Sequence, residues 1–262
     1  MTVITSVKPT AKLSFSPMII KDISFSSPSE NILFDEALLS LAENGEQGEI
    51  LRFWESKDLF VVLGRTSKPQ EDLHLDLLLK DHIPVLRRAS GGGTVLQGQG
   101  CLNYSLIISK ERHLHLSLIR KSYQFILDKL IDALDGRGIK AVYHPISDMA
   151  VGERKFSGNA QKRGKNFILH HGTILYSFPL EKIERYLKIP RDIPEYRRGR
   201  GHLDFVMNLP LTQAELKTII AQAFGVKQRE ELLNSKERRE LDHLLQTKNV
   251  IIEDRGHKLA KI

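Results

Sequence analysis

Apolar residues recur every three or four positions in several parts of the chain, which is the spacing of one face of an α-helix. The clearest case opens at Ser117 and ends at Gly136 and Gly138. Its apolar positions are Ile119, Tyr123, Ile126, Leu130 and Leu134. A second helix is predicted from Ser29 to residues 44–45, an Asn-Gly pair that can turn the backbone. Shorter helices are predicted over residues 72–80, 180–187 and 212–224.

Short apolar runs and alternating segments predict β-strands between these helices. They cover residues 50–54, 59–63, 84–88, 103–108, 140–143, 148–151 and 167–176. We expect the first two strands to pair through the polar turn 55–58, and we interpret residues 153–165 as a polar segment between the last two. Strand pairs interrupted by helices predict an α+β domain with a mixed, largely antiparallel sheet flanked by helices.

The two ends of the chain differ in character from its middle. Residues 1–22 are rich in Ser, Thr and Pro and are interpreted as an N-terminal arm or edge strand, whereas residues 23–225 carry the regular patterns. Residues 226–262 form a charged tail with a helical pattern over 227–246. An apolar stripe on that tail suits a lid over a neighbouring pocket; its members are Leu232, Leu233, Leu241, Leu244 and Leu245.

The charge balance narrows the choice of partners. A formal net charge of +7 and a pI near 9.4 favour an acidic partner, which is a nucleic acid, an anionic cofactor or an acidic protein surface. No apolar run reaches the roughly 20 residues of a membrane span, and the first residues lack a secretory signal. We therefore expect a cytoplasmic protein that does not contact a membrane.

Cysteine and histidine usage points away from a metal centre built by the protein itself. The single cysteine, Cys101, cannot form an internal disulfide, and the pairs 113/115 and 170/171 lack the other ligands of familiar zinc spacings. Magnesium brought by a nucleotide needs only one or two carboxylates and is the exception.

A glycine-rich pattern at residues 87–95 is the strongest local signal for chemistry. Arg87 and Arg88 precede three consecutive glycines, whose N–H groups can approach an anion closely while arginine adds charge-assisted hydrogen bonds. The pattern lacks the lysine of a phosphate-binding P-loop. A flexible hairpin turn with solvated arginines is the alternative.

A second signal is the lysine Lys155 beside Ser157 and Gly158, followed by residues 170–173 with the sequence His-His-Gly-Thr. A lysine held next to such a small segment can orient a carboxylate and neutralise charge that develops when an acyl phosphate forms or opens. The alternative is an ordinary solvated lysine.

The two signals, in this order, resemble the lipoate-protein ligase family, within the larger group of biotin and lipoate ligases. Its pattern Arg-Arg-x-x-Gly-Gly-Gly-x-Val is matched by residues 87–95, and its pattern Arg-Lys-x-Ser-Gly-x-Ala by residues 154–160. Residues 51–54, 63–65 and 170–175 also look like family segments, and the resemblance covers roughly residues 29–224. It implies that 23–225 are a catalytic domain folded like class II aminoacyl-tRNA synthetases, with an acyl tunnel leading to an adenylate pocket.

The resemblance also implies roles for individual residues. Lys155 would hold the reacting carbonyl or phosphate as the catalytic residue, and Arg88 with residues 93–96 would contact the nucleotide and the acyl phosphate. Asn103 and Asp148 are further candidates. The binding residues implied in this way are Arg88, Gly91, Gly92, Gly93, Thr94, Val95, Leu96, Asn103, Asp148, Ser157 and Gly158. ATP and Mg²⁺ would be the cofactors, and lipoate the substrate.

Three departures bear on that transfer of roles. The family usually has a histidine at Gln97, and an amide cannot titrate. One branch of the related octanoyltransferases carries a nucleophilic cysteine at a place where residues 143–145 are Tyr-His-Pro, and Cys101 lies elsewhere. Larger ligases have a small C-terminal domain, and the residues after Phe224 look too few and too charged for one, which makes a separate small accessory subunit an expected partner.

Three functions remain open on the sequence alone. The first is an ATP-dependent ligase that forms an acyl adenylate of lipoate or octanoate and transfers the acyl group to a lysine of a lipoyl-domain acceptor with an acidic surface. The second is an ATP-independent acyltransferase, and the third a non-catalytic protein that binds an acyl adenylate or a nucleic acid. The basic run at residues 196–202 suits a nucleic acid, an acidic acceptor or simple solvation. For the ligase we expect no nucleic-acid partner.

Overall fold

A computed structural model of the protein describes residues 17–230 and 232–252. The strands are β1 Ile19–Asp22, β2 Ile50–Trp54, β3 Phe60–Leu63, β4 Val85–Arg87, β5 Val95–Gln97, β6 Cys101–Ser109, β7 Ala141–His144, β8 Asp148–Val151, β9 Arg154–Arg163, β10 Phe167–Leu175 and β11 Arg229–Glu230. The helices are α1 Pro28–Glu43, α2 Pro69–Asp72, α3 Leu75–Lys80, α4 Ile119–Asp135, α5 Glu181–Tyr186, α6 His202–Phe205, α7 Gln213–Ala223 and α8 Ser235–Thr247, with short 3-10 turns at Lys110–Arg112, Leu114–Ser117 and Glu195–Arg197.

Most strands belong to one eight-stranded sheet with the order β11-β1-β2-β6-β10-β9-β8-β7. Its first three strands are parallel, and every later neighbour is antiparallel. A second sheet has the order β4-β3-β5. The predicted α+β fold with a mixed, largely antiparallel sheet is therefore confirmed.

Helices cover both faces of the large sheet. On one face, α4 and α7 pack their apolar stripes on even-numbered residues of β6, such as Leu102 and Leu106. On the other face, α1 packs against β2 and the small sheet, and α8 packs behind α1. The predicted stop of α1 is confirmed, since Asn44 is its C-cap and Gly45 has a φ of +73°. No helix within the described residues is both long and apolar enough to cross a membrane.

Two predictions about the strands were wrong. β2 and β3 do not pair with each other, because β2 lies between β1 and β6 while β3 is the centre of the small sheet. Residues 154–163 are the ten-residue strand β9 and not a polar connection. Strands on both sides satisfy its backbone groups, and buried polar side chains along it bond to neighbouring polar groups, so the polar composition is tolerated.

The first and last segments of the described part of the chain pack against the rest of the fold. Residues 1–16 of the predicted arm lie outside the described residues, and β1 is second from the sheet edge because the short β11 covers it. The tail helix starts at Ser235, later than predicted, and its Leu241 and Leu244 pack in the cluster around α1. Beyond it, the amide of Arg87 donates to the carbonyl of Val250 and that of Ile252 to Val85, which extends the small sheet.

A fully buried ion pair joins this tail to the large sheet. Lys21 on β1 and Glu237 on α8 both have 0% exposed side chains, and Lys21 Nζ lies 3.0 Å from Glu237 Oε1. Lys21 also contacts Glu230, whose side chain is 42% exposed, at 2.6 Å. Removing one partner of a buried pair leaves an uncompensated charge in a low-dielectric interior.

We therefore predict that Glu237→Gln lowers the free energy of unfolding by about 3 kcal/mol, since Glu230 compensates Lys21 only in part. Urea denaturation measures the change. Glu240→Gln, on the same helix and half-buried, is the matched control and should shift stability by less than about 0.5 kcal/mol. Equal unfolding midpoints for the two variants would contradict the importance of this pair.

Candidate active site

The register of the large sheet aligns one row of residues across five strands. Directly paired residues on antiparallel strands point to the same face of the sheet. The row runs from β2 to β8 through Trp54, Asn103, Thr173, Gly158 and Asp148. The next row contains Arg52, Ser105, His171 and Ala160. Small residues in both rows leave space above the sheet.

A cleft of about 630 Å³, including its solvent-open mouth, fills this space. Helix α1 closes one side with Ile32 and Asp35, and the loop between β4 and β5 closes another with Gly93 and Thr94. Apolar side chains contributed by Ile32, Trp54, Val62 and Val95 meet polar ones on the β8–β9 side. The cleft thus has an apolar part and a polar part, as sites for amphipathic small molecules do.

Arg88 holds the glycine loop itself, and Arg87 holds the neighbouring turn after β3. Arg88 Nη2 donates to the carbonyls of Gly91 and Gly93, each at 2.7 Å, and its Nε donates to Ser90 Oγ at 3.0 Å. Arg87 Nη1 donates to the carbonyls of Gly64 and Ser67. Burial lowers the pKa of Arg88 to about 10, which leaves it charged at neutral pH. Arg88 also lines the cleft, so it shapes the loop at the cleft wall.

Glycine is needed for different reasons at the positions in and beside this loop. Gly92 has a φ of +84°, which L side chains rarely adopt, and a Cβ there would lie 3.1 Å from Arg88 Nη2. Gly64, after β3, approaches the loop so closely that its Cβ would lie 2.0 Å from Gly92 O. A Cβ on Gly91 or Gly93 would meet nothing within 4 Å.

Lys155 and Asp148 form an ion pair on the polar wall of the cleft. Lys155 Nζ lies 2.7 Å from Asp148 Oδ1, and the side chains are 29% and 12% exposed. The other carboxylate oxygen of Asp148 accepts a hydrogen bond from the Tyr196 hydroxyl at 2.8 Å. The absence of a side chain on Gly158 makes room for the lysine, because a Cβ there would lie 3.1 Å from Nζ.

Asn103 and Gln97 pair their amide groups. Each donates to the carbonyl oxygen of the other at 2.9 Å, and both side chains are buried at the cleft wall. The glutamine therefore satisfies the amide of Asn103 and contributes a group that does not titrate.

The structure brings most of the predicted site residues together and leaves four out of the cleft lining. Those that line it are Arg88, Gly93, Thr94, Val95, Asn103, Asp148, Lys155 and Gly158. Gly91 and Gly92 belong to the same loop but do not line the cleft. Leu96 packs in the apolar cluster beneath the small sheet, and Ser157 is buried and accepts a hydrogen bond from Asn159.

Sequence reasoning missed a chain of polar side chains in the cleft wall, which includes Asp35 and His171. His171 Nε2 lies 2.7 Å from Ser90 Oγ of the glycine loop, and its Nδ1 lies 3.6 Å from Asp35 Oδ2. Asp35 also accepts hydrogen bonds from Arg52 and Ser105, each at 2.6 Å. Burial raises the pKa of Asp35, but Arg52 and the bonds from His171 and Ser105 outweigh it, so the net pKa lies below its usual range. The only sequence signal was the His-His-Gly-Thr segment, since nothing in the sequence separates Asp35 from the other carboxylates of α1, such as the adjacent Glu36.

Other groups that the sequence singled out are buried or packed within the fold. Cys101 is 1% exposed, and burial raises the pKa of its thiol. His170 is fully buried, and burial with the neighbouring His171 lowers its pKa to about 3. In the basic run, Arg197 is buried with its guanidinium 4.6 Å from the Phe205 ring centre, so this run is not simply solvated. Within residues 232–252, no side chain lines the cleft, so the predicted lid over it is wrong: this helix packs behind α1.

Comparison with known sequences gives one consistent result. Residues 27–225 match the family described as the lipoyl protein ligase A/B catalytic domain. "Probable lipoate-protein ligase A" of Mycoplasma pneumoniae is 29% identical over 164 residues, which cover 63% of this chain and 47% of the relative. "Octanoyltransferase LipM" of Bacillus cereus is 26% identical over 196 residues, covering 62% and 70%. The chain spans about half the length of the first curated relatives it matches.

Solved structures with the same fold are also similar. A bi-partite lipoate protein ligase of Thermoplasma acidophilum, studied with its E2 lipoyl domain, superposes with a TM-score of 0.74 at 22% identity over 88% of this chain and 93% of that one. A lipoate-protein ligase A bound with ATP gives 0.73 at 22% identity over 89% and 96%. The predicted resemblance to the fold of lipoate-protein ligases is therefore confirmed.

The close approach of Gly64 to the glycine loop yields a prediction about stability. Gly64→Ala forces a backbone shift at Gly92 and should cost about 2 kcal/mol of unfolding free energy, as overpacked sites do. Gly91→Ala, whose Cβ points into open space, should stay within about 0.5 kcal/mol of the wild type. Urea denaturation compares them, and a Gly64→Ala protein as stable as Gly91→Ala would refute the tight contact.

Proposed function

The chain belongs to the lipoyl protein ligase A/B catalytic domain family, and from this we propose that it activates lipoate or octanoate with ATP and transfers the acyl group to a lysine of a lipoyl-domain acceptor. In the first step a carboxylate oxygen attacks the α-phosphorus of ATP, and pyrophosphate leaves. In the second step the neutral acceptor amine attacks the acyl carbonyl carbon of the acyl adenylate, AMP leaves, and the amine loses its proton as the amide forms.

One observation carries the proposal: a partly exposed lysine lines the same cleft as the glycine loop. Lys155 has 29% of its side chain exposed and lines the same cleft as Gly93 and Thr94. Both steps put negative charge on oxygens of the phosphate or the acyl carbonyl. A cation already fixed beside those oxygens stabilises that charge with little reorganisation during the reaction.

The apolar part of the cleft suits the acyl chain. Ile32, Trp54 and Val62 line it, and each methylene that they take out of water contributes about 0.8 kcal/mol of binding free energy. Binding of the tail there holds the carboxylate in register with Lys155, so the chain length becomes a determinant of rate as well as affinity.

The carboxylates of the cleft are compatible with magnesium bound chiefly to the nucleotide. Asp35 and Asp148 both line the cleft and both already bind side chains of the protein, but each carboxylate oxygen keeps a second lone pair that a metal can use. One or two carboxylates suffice for Mg²⁺ when phosphate oxygens complete its coordination. The ion would neutralise phosphate charge, and one or both of these carboxylates would help to hold it.

The runner-up is an ATP-independent octanoyl or lipoyl transferase, which the similarity to "Octanoyltransferase LipM" keeps as a candidate. A transferase that forms a thioester needs an accessible thiolate. Cys101 is the single cysteine of the 262 residues, and burial raises its pKa, so its thiolate is strongly disfavoured. This favours the ligase.

The proposed partners follow from the same reasoning. A net charge of +7 favours an acceptor domain with an acidic surface. The similar Thermoplasma protein is described as a bi-partite ligase, and we include a separate small subunit as a partner for the activation step. We retain residues 23–225 as the proposed catalytic domain, with the described part of the tail docked on it.

Lys155→Ala should lower acyl transfer by at least about a hundredfold, the cost of removing one electrostatic stabiliser. The assay incubates the protein with lipoate or octanoate, Mg-ATP and a lipoyl-domain acceptor, and measures the mass of the acceptor. The ligase predicts an acyl adduct that requires ATP.

Lys162→Ala is the matched control for this variant. Lys162 lies on the same strand, is 33% exposed and pairs with Glu36 at 2.7 Å, much as Lys155 pairs with Asp148. It lies outside the cleft lining and should keep near-normal transfer. Equal transfer by both variants would remove Lys155 from the chemistry, and acyl transfer without ATP would establish the runner-up.

Cys101→Ala should keep at least about half of the wild-type transfer rate, because the buried thiol takes no part in the ligase steps. Intact-mass measurement of the wild-type protein after incubation with an acyl donor should show no acyl adduct on the enzyme. A hydroxylamine-sensitive adduct lost in Cys101→Ala would instead place a thioester on this residue.

A further inference from the structure

A tyrosine from the basic run reaches into the polar wall of the cleft. Tyr196 lies on the 3-10 turn Glu195–Arg197, about forty residues along the chain from Lys155. Its hydroxyl donates to Asp148 Oδ2 at 2.8 Å, while Asp148 Oδ1 lies 2.7 Å from Lys155 Nζ. One carboxylate thus binds the tyrosine with one oxygen and the lysine with the other.

The position of Lys155 depends on that carboxylate. A lysine side chain has a flexible four-carbon stem, and its compact ammonium group can donate hydrogen bonds in many directions. Its partial exposure and the bare backbone of Gly158 leave Lys155 room to move. The ion pair with Asp148 fixes Nζ only as well as the carboxylate itself is fixed.

Tyr196 is itself held firmly enough to fix the carboxylate of Asp148. Its ring stacks on His144, with ring centres 3.8 Å apart and an angle of 4°, and it packs against Phe205 at 5.1 Å. Arg200 Nη2 donates to its backbone carbonyl at 2.8 Å. The Tyr196 hydroxyl is the donor in its hydrogen bond with Asp148, because the carboxylate oxygen can only accept.

We propose that Tyr196 is a positioning residue for Lys155, acting through Asp148. Its hydrogen bond restricts rotation of the carboxylate, and the carboxylate then keeps Nζ directed at the reacting oxygens. The inference rests on the proposed function, in which Lys155 touches those oxygens. The arginines next to Tyr196 serve the same end, because Arg197 and Arg200 hold the turn that carries it.

The test is Tyr196→Phe, which keeps the stacked ring and removes the hydroxyl. We expect kcat for transfer to fall about tenfold, since small displacements of a catalytic group cost one to two orders of magnitude, and KM for ATP and for the acyl substrate to change less than about twofold. A role in binding would instead raise KM.

Tyr186→Phe is the matched control. The Tyr186 hydroxyl donates to Asp81 Oδ2 at 2.8 Å, and Arg185 pairs with the same oxygen at 2.7 Å, so a tyrosine, a carboxylate and a cation also meet here, away from the cleft. This variant loses an equivalent hydrogen bond and should leave kcat unchanged. Thermal unfolding of both variants shows how much of any effect comes from stability.

Double variants test whether Tyr196 acts through Asp148 and Lys155. In single-turnover transfer from preformed acyl adenylate, Tyr196→Phe should add no further loss in a Lys155→Ala or an Asp148→Asn background. The Asp148→Asn background keeps the shape of the side chain and serves if Lys155→Ala is too slow to measure.

Two outcomes separate the possible failures. If Lys155→Ala lowers transfer while Tyr196→Phe has no effect, or has an effect that adds to it in full, the positioning role is wrong and the proposed function stands. If Lys155→Ala itself transfers at the wild-type rate, the catalytic assignment fails, and the positioning role fails with it.

Discussion

The register of strand β9 is the constraint on which the site depends. β9 lies between β10 and β8, and its pairing puts Gly158 beside Thr173 on one side and Asp148 on the other. Side chains alternate between the two faces of a strand, so a slip by one residue would move every group of this strand to the opposite face. The cation, the carboxylate that holds it and the small residues that leave room for a ligand are brought together by this one ladder.

The glycine loop in the cleft wall is held by different means. A glycine loop has little preferred conformation of its own, and here the side chains of Arg87 and Arg88 bind backbone carbonyls in and around it. Gly64 allows the loop to approach, and residues 250–252 pair with β4, the strand that leads into it. Basic side chains that the sequence presented as ligands for an anion therefore also build the cradle.

Much of the fold could be predicted from local patterns, and the failures have clear physical causes. Periodicity located α4 and the end of α1, because amphipathic helices and glycine stops are local signals. β9 was missed because a strand buried in a polar site needs no apolar alternation, and its partners are set by distant parts of the chain. The expected pairing of β2 with β3 failed for the same reason, since β6 lies about fifty residues away from β2 in sequence.

The candidate site was predictable where residues cluster in sequence. Lys155, Gly158 and the glycine loop were found through their motifs, whereas Asp35 and Tyr196 lie outside both motifs and join the site only through tertiary contacts. Leu96 and Ser157 show the opposite error, because motif membership does not determine which way a side chain points.

The most direct test of the account is a crystal structure with a non-hydrolysable acyl-adenylate analogue. The account predicts the acyl chain between α1 and Trp54 and the mimic of the reacting carbonyl or phosphate within hydrogen-bonding distance of Lys155 Nζ. An analogue bound outside this cleft, or one in the cleft with Lys155 turned away from the reacting group, would contradict it.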